Sequence, residues 1–245
     1  MRYTARTDVG LKRENNEDNL YARIYDENTA LFVVADGLGG YSSGEVASKV
    51  AVNNIRDNFE VNLDTLKKSD EHDVKQFFKQ LIQVTNEKIY SMQMANPKYK
   101  GMGTTIVLVG KINGNIYYES VGDSRLYYID EIKQDIEQIT EDDTYVNELL
   151  RKKLIKKSEV DTHPQKHMLT KALGIFNKVD LQVDILLKNK GYLILCSDGL
   201  TNMLTNEDIL QTVINTEFSS LADTLVDKAN RNGGTDNTTV IVVEI

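Results

Sequence analysis

The chain has 245 residues, 40% of them hydrophobic, with one cysteine, three histidines and a formal net charge of −8. That length can enclose a sizeable core, and the negative balance argues against nucleic acid or membrane insertion at an anionic surface, since both partners are polyanions. One cysteine excludes an internal disulfide framework. With no apolar run of signal-peptide or membrane-spanning length, the expected setting is cytoplasmic.

The run LFVVA, residues 31–35, reads as a buried strand that ends in Asp36 and the glycines of DGLGG. In SSGEVASKVAVNNIRDNF, Ala47, Ala51, Ile55 and Phe59 recur every fourth residue, which predicts an amphipathic helix starting at Ser42 or Ser43. Residues 60–73 are polar and predict a loop, and Val74, Phe77, Phe78, Leu81, Ile82, Thr85, Ile89 and Met92 mark a second, longer helix. After Gly103 the pattern changes to β. TTIVLVGKINGNIYYESVGDSRLYYID predicts three strands, the first two joined by Asn113-Gly114, a dipeptide suited to a type I′ hairpin. From Asp142 to Gly174 the chain reads as helical and polar. LQVDILL, GYLILCSD and NTTVIVVEI read as further strands, with two helices filling residues 207–231. Strands in consecutive runs predict antiparallel pairing. Helices apolar on one side need a sheet to cover, so the expected fold is α+β, two packed sheets with helices outside, in a single domain over residues 1–245.

Four aspartates share one context. Asp36 follows LFVVA, Asp198 follows YLILCS, Asp123 lies in VGDSR and Asp236 precedes the last strand in GGTDNTTVIVV. Each stands where an apolar strand meets a tight turn. Asp-Gly, Asp-Ser and Asp-Asn are ordinary turn formers, so no one of them alone carries a function. If they converge, together with Glu17 and Asp18 of NNEDN, they stay ionised side by side only with cations between them. The histidines (His72, His163, His167) do not share the strand-end context, so a nitrogen and sulfur zinc site is poorly supplied. Oxygen-only ligation suits Mg²⁺ or Mn²⁺.

Two such ions roughly 3.5–4 Å apart activate a water and stabilise in-line displacement at phosphorus. Arg13, close in sequence to the acidic pair, offers the fork that matches phosphate oxygens. Other phosphatase chemistries lack their signatures. The sixth residue after Cys196 is Asn202 rather than arginine, the residues two beyond Asp36 and Asp198 are leucines, and there is no Walker A loop.

TDVGLKRENNEDN, VVADGLGGYSSGEVAS, GMGTT, VGDSRLY, ITEDDTYVNELL, THPQKHMLTKALG, LCSDGLTNML and GGTDNTTVIVV occur in the order seen in metal-dependent serine/threonine protein phosphatases of the type 2C class. The chain resembles that family over nearly its whole length, and most of all its bacterial members that act opposite a Ser/Thr kinase. The resemblance implies a four-layer αββα sandwich with Mn²⁺ or Mg²⁺ at one end of the sheets. It implies that Asp36 bridges two core ions, that Asp198 and Asp236 complete the first, and that Glu17 and the Gly37 carbonyl serve the second. Asp18 would support that shell, Asp123 with Asp198 would hold a third ion, and Arg13 would bind the substrate phosphate. Arg13 and Asp36 are thus the expected catalytic residues. About residues 140–175 would form a flap beside the cleft, and the partners would be phosphorylated proteins, a cognate kinase among them. Leu38 stands where many eukaryotic relatives carry a histidine, so no side-chain general acid can be named. Asp143 replaces another frequent histidine, and Lys166 and Lys171 replace arginines. Two rival readings are a silent phosphoprotein-binding module, disfavoured because no metal carboxylate is missing, and a hydrolase of small phosphate esters.

Overall fold

The computed structural model describes residues 1–39, 43–160 and 162–245; Ser42, one of the two predicted helix starts, lies outside them. Three strands, β1 (Arg2–Asp8), β2 (Asp18–Asp26) and β3 (Thr29–Leu38), precede the helices α1 (Ser43–Val61), α2 (Leu63–Leu66) and α3 (Glu71–Ala95). Then come β4 (Gly103–Thr104), β5 (Ile106–Ile112), β6 (Asn115–Val121), β7 (Arg125–Asp130) and β8 (Asp135–Gln138). Short helices α4 (Tyr145–Arg151) and α5 (Lys157–Val160) lead to β9 (Asp184–Leu186) and β10 (Tyr192–Cys196). The chain closes with α6 (Asp198–Thr201), α7 (Asn206–Asn215), α8 (Leu221–Arg231) and β11 (Thr238–Glu244).

The strands form two antiparallel sheets, one in the order β1-β11-β10-β7-β8, the other β2-β3-β5-β6-β9 with β4 added to β3. Period-two alternation sorts each central strand between two layers. Along β3, Leu31, Val33 and Ala35 pack with Ile55 and Phe59 of α1 and with Phe78 and Ile82 of α3. The alternate residues Ala30, Phe32 and Val34 meet Leu193, Leu195, Ile241 and Val243 of the other sheet. On that sheet's outer face Ile194, Cys196, Val240 and Val242 lie under Leu200, Ile209, Leu225 and Val226. The result is the expected α+β sandwich, layered helix, sheet, sheet, helix.

The β5–β6 hairpin turns on Asn113 (φ 53°) and Gly114 (φ 86°), both left-handed as a type I′ turn requires. Four expectations need correction. The predicted loop 60–73 contains α2, because Leu66 drops into the core and is only 2% exposed. Among the described residues of 142–174 only α4 and α5 are helical, and the segment is not uniformly polar, since Val146, Ala172 and Leu173 are buried. LQVDILL keeps strand geometry only over β9. Asp36 is not the end of its strand: β3 continues through Gly37 and Leu38, which pair with Thr104 and Gly103.

Candidate metal centre

Five chain segments reach the same end of the sandwich, and each acid is held there by its backbone. Asp18 and Asp36 are cross-strand partners in the β2–β3 register. The Asp36 amide donates to Thr105 Oγ1 (3.0 Å), and its carbonyl accepts from Thr104 Oγ1 and the Thr105 amide (2.8 Å each). Its main chain is therefore spent, and its side chain is free to face the cleft. The Glu17 carbonyl accepts from the Gly37 amide (3.1 Å) and Ser48 Oγ (2.5 Å), while its amide donates to Asn237 Oδ1 (2.8 Å). Helix α1 presses so close that a Cβ at Gly37 would overlap the Gly44 carbonyl.

Asp198 opens α6 directly after β10, and Gly199 lies against the Asn237 carbonyl, where a side chain has no room. Asn237 ties its loop to the N-terminal segment by donating to the Val9 and Asn15 carbonyls (2.9 Å each). That brings Arg13 Nη2 to 2.8 Å from Asp236 Oδ2. Asp123 stands between β6 and β7, beside Ser124, whose hydroxyl is 2.7 Å from Thr105 Oγ1.

Arg13, Glu17, Asp36, Gly37, Asp123, Asp198 and Asp236 all line one cavity of about 320 Å³. Asp18 does not. It is buried behind the cavity, with Oδ2 accepting from Ser197 Oγ (2.7 Å) and Oδ1 without a hydrogen-bond partner among the described residues. Among the described residues no three acidic or imidazole groups make a ready-formed metal cage; the geometry is that of a shared cleft.

The electrostatics are those of an acid cluster taken out of water. Burial, then the charges of Asp18, Asp198, Asp123 and Asp236, push Asp36 well above the ordinary carboxylate range. Burial and then Asp198 raise Asp123 to about 7, and burial raises Asp18 to about 7. Asp198 is raised by burial and by Asp236. Arg13 offsets part of this charge. Crowded, partly desolvated carboxylates are a donor set that suits hard divalent cations, since the acids lining the cavity offer only oxygen.

None of the three histidines shares the strand-end context of the aspartates, yet His167 lines this cavity. It also lines a larger one of about 650 Å³ that opens from Asp123 and Asp198 toward Val146, Leu150 and Asn206. No spacing signal could have found it, because the folded 142–174 segment alone brings it there. His163 instead lies beside Tyr145, the two rings tilted by 56°, with its Nδ1 accepting from the Gln165 backbone amide (3.1 Å). His72 is exposed. Cys196 is fully buried, and burial lifts its thiol to about 12, which excludes a thiolate nucleophile.

Residues 11–233 match the family Protein phosphatase 2C. The chain is 34% identical to protein phosphatase PhpP of Streptococcus pneumoniae, covering 100% of this chain and 98% of that protein. It is 36% identical to the serine/threonine phosphatase stp of Listeria monocytogenes, with 98% and 94% covered. Among solved structures it resembles the serine/threonine phosphatase PstP/Ppp of Mycobacterium tuberculosis, with TM-score 0.86, 32% identity and coverage of 100% and 98%. It also resembles Stp1 of Staphylococcus aureus, with TM-score 0.89, 34% identity and coverage of 99% and 94%.

Proposed function

The chain belongs to the protein phosphatase 2C family, and from that premise we propose how its cleft is used. It is a metal-dependent protein serine/threonine phosphatase. The observation that carries the residue assignment is the single cavity shared by Asp36, Asp198, Asp236, Glu17 and Arg13. Asp36, which feels the charges of Asp18, Asp198, Asp123 and Asp236, would hold both core ions, either Mn²⁺ or Mg²⁺. Asp198 and Asp236 would complete the first ion's shell, Glu17 and the Gly37 carbonyl would serve the second, and Asp123 with Asp198 would hold a weaker third. Asp18 lies behind them and supports the shell through Ser197. Bound there, paired hard cations supply an acidified water as nucleophile and neutralise charge on the phosphoryl oxygens.

The protein's own groups do the rest. Arg13, 2.8 Å from Asp236, swings its fork onto the substrate phosphate and orients it. Leu38 lines the cleft and has no proton to offer the leaving alkoxide. The segment of about residues 140–175 acts as a flap, and the larger cavity beneath it receives the chain around the phosphorylated residue. The substrates are phosphorylated proteins, including those made by a cognate Ser/Thr kinase.

Turnover of a phosphothreonine peptide, a sugar phosphate and a nucleotide, each with Mn²⁺, Mg²⁺ or a chelator, tests this reading. Metal-dependent release with kcat/KM highest for the peptide is the expected result. A preference for the small esters would overturn it in favour of the rival hydrolase.

A further inference from the structure

The turn that carries Asp123 is gripped from two sides. On one side Thr105 packs under Gly122, which has φ +105° and no space for a Cβ beside the threonine side chain (2.7 Å). On the other side stands Asp143. Its amide donates to the Gly122 carbonyl (2.8 Å), and its Oδ2 accepts from the Gly122 amide (3.2 Å). The same residue closes the base of the flap. The Asp143 carbonyl accepts from the Thr170 amide (2.8 Å), and Oδ1 pairs with Lys171 Nζ at 3.0 Å. Beyond it the two stems run antiparallel through Tyr145 to Met168 (2.8 Å) and the Thr144–Leu169 bridge. The Asp143 carboxylate is 14% exposed and Lys171 is 42% exposed.

Asp143 therefore ties its own flap stem to the opposite one and to the residue next to Asp123. We propose that Asp143, locked by Lys171, is a positioning residue that joins the flap base to the Gly122–Asp123 turn and so sets the affinity of the cation site at Asp123. This rests on the reading of Asp123 as a ligand of the third, weaker ion. Asp143 itself touches neither substrate nor cleft: it does not line the cavity shared by the acids. It acts only by fixing where the Asp123 carboxylate stands.

The physical reasoning is one of preorganisation. A hard cation gains from oxygens already in place and loses what it must spend to order them. The charge-assisted bond to Lys171 is shielded on the carboxylate side, so it holds better than an exposed pair. A misplaced Asp123 turn would weaken the third site while leaving the two core ions, which are held by Asp36, Asp198, Asp236 and Glu17, unchanged.

Calorimetric titration of the metal-free full chain with Mn²⁺, together with amide hydrogen exchange, tests the proposal. Asp143→Ala is expected to weaken the weakest binding step about tenfold, to leave the tight steps in place and to speed exchange in residues 121–125. Lys171→Met should weaken the same step about threefold, and Lys171→Arg should restore it. Unchanged isotherms in Asp143→Ala, or equal weakening of every step, would overturn it. Asp123→Asn separates this from the underlying reading: if that variant keeps the weak step, Asp123 is not a ligand, and the proposal falls with its premise. If it loses the step while Asp143→Ala does not, only the positioning role is wrong.

Discussion

Asp36 and Arg13 show why residue identity at the cleft matters beyond charge. Asp36 has its amide and carbonyl already satisfied by Thr105 and Thr104, so its side chain is the only part left to do chemistry. Arg13 bonds Asp236 at 2.8 Å and is half exposed, so it can exchange that partner for a phosphate. Arg13→Ala should raise KM for a phosphothreonine peptide by roughly 10–100-fold, the worth of a charge-assisted hydrogen bond, with a smaller drop in kcat. Steady-state kinetics at fixed Mn²⁺ reads this. Away from the cleft, Glu119 on β6 is buried with Oε2 unpartnered among the described residues, and burial raises it to about 7. Because the folded pKa lies above the unfolded one, its cost is absent below about 4.5 and complete above about 7. Glu119→Gln should therefore stabilise the protein by on the order of 2 kcal/mol at pH 8 and change little at pH 4.5. Urea unfolding at the two pH values would reveal a flat difference if this is wrong. The strand-end aspartates were legible because each follows an apolar run. His167 was not, since nothing in its neighbours along the chain marks it as facing Asp198.

At the scale of elements, the cleft depends on glycines that let helices approach strand ends. Gly199 in α6 lies on the Asn237 carbonyl, and this contact sets Asp198 beside the loop of Asp236. Gly199→Ala should cost about 2–4 kcal/mol by overpacking and should also lower Mn²⁺ affinity, because α6 must move away. Thermal melts with and without Mn²⁺ separate the two effects: a destabilised variant with normal metal affinity would show that α6 does not set the site. The elements themselves were readable where one face is apolar. Helices α1 and α3 carry their core residues at helical spacing, and Asn113-Gly114 marks its hairpin. Strands β1 and β2 gave no such signal, because most of their residues are only partly buried and polar ones recur on both faces. The 142–174 segment misled for a different reason. Polar, helix-compatible residues there are held in turns by long-range bonds, such as that from the Thr170 amide to the Asp143 carbonyl, which no local pattern encodes.

Across the whole molecule the cleft is a joint product of both sheets. Asp18 and Asp36 come from one, while Asp198 and Asp236 flank strands of the other. The layer between them, centred on Phe32, Leu195 and Ile241, therefore holds the two halves of the site in register. Phe32→Ala should cost about 3–5 kcal/mol. With ions held between Asp36 of one sheet and Asp198 and Asp236 of the other, as proposed, saturating Mn²⁺ should recover part of that loss through linkage. Denaturant melts of this variant that ignore Mn²⁺ would speak against a site shared between sheets. The central claim is that acids far apart in the chain gather around shared hard cations. Anomalous diffraction at the manganese edge from crystals grown with Mn²⁺ tests it most directly. The account predicts two strong peaks in contact with the Asp36 carboxylate, one of them also touching Asp198 and Asp236; manganese bound elsewhere, with Asp36 touching none, would contradict it.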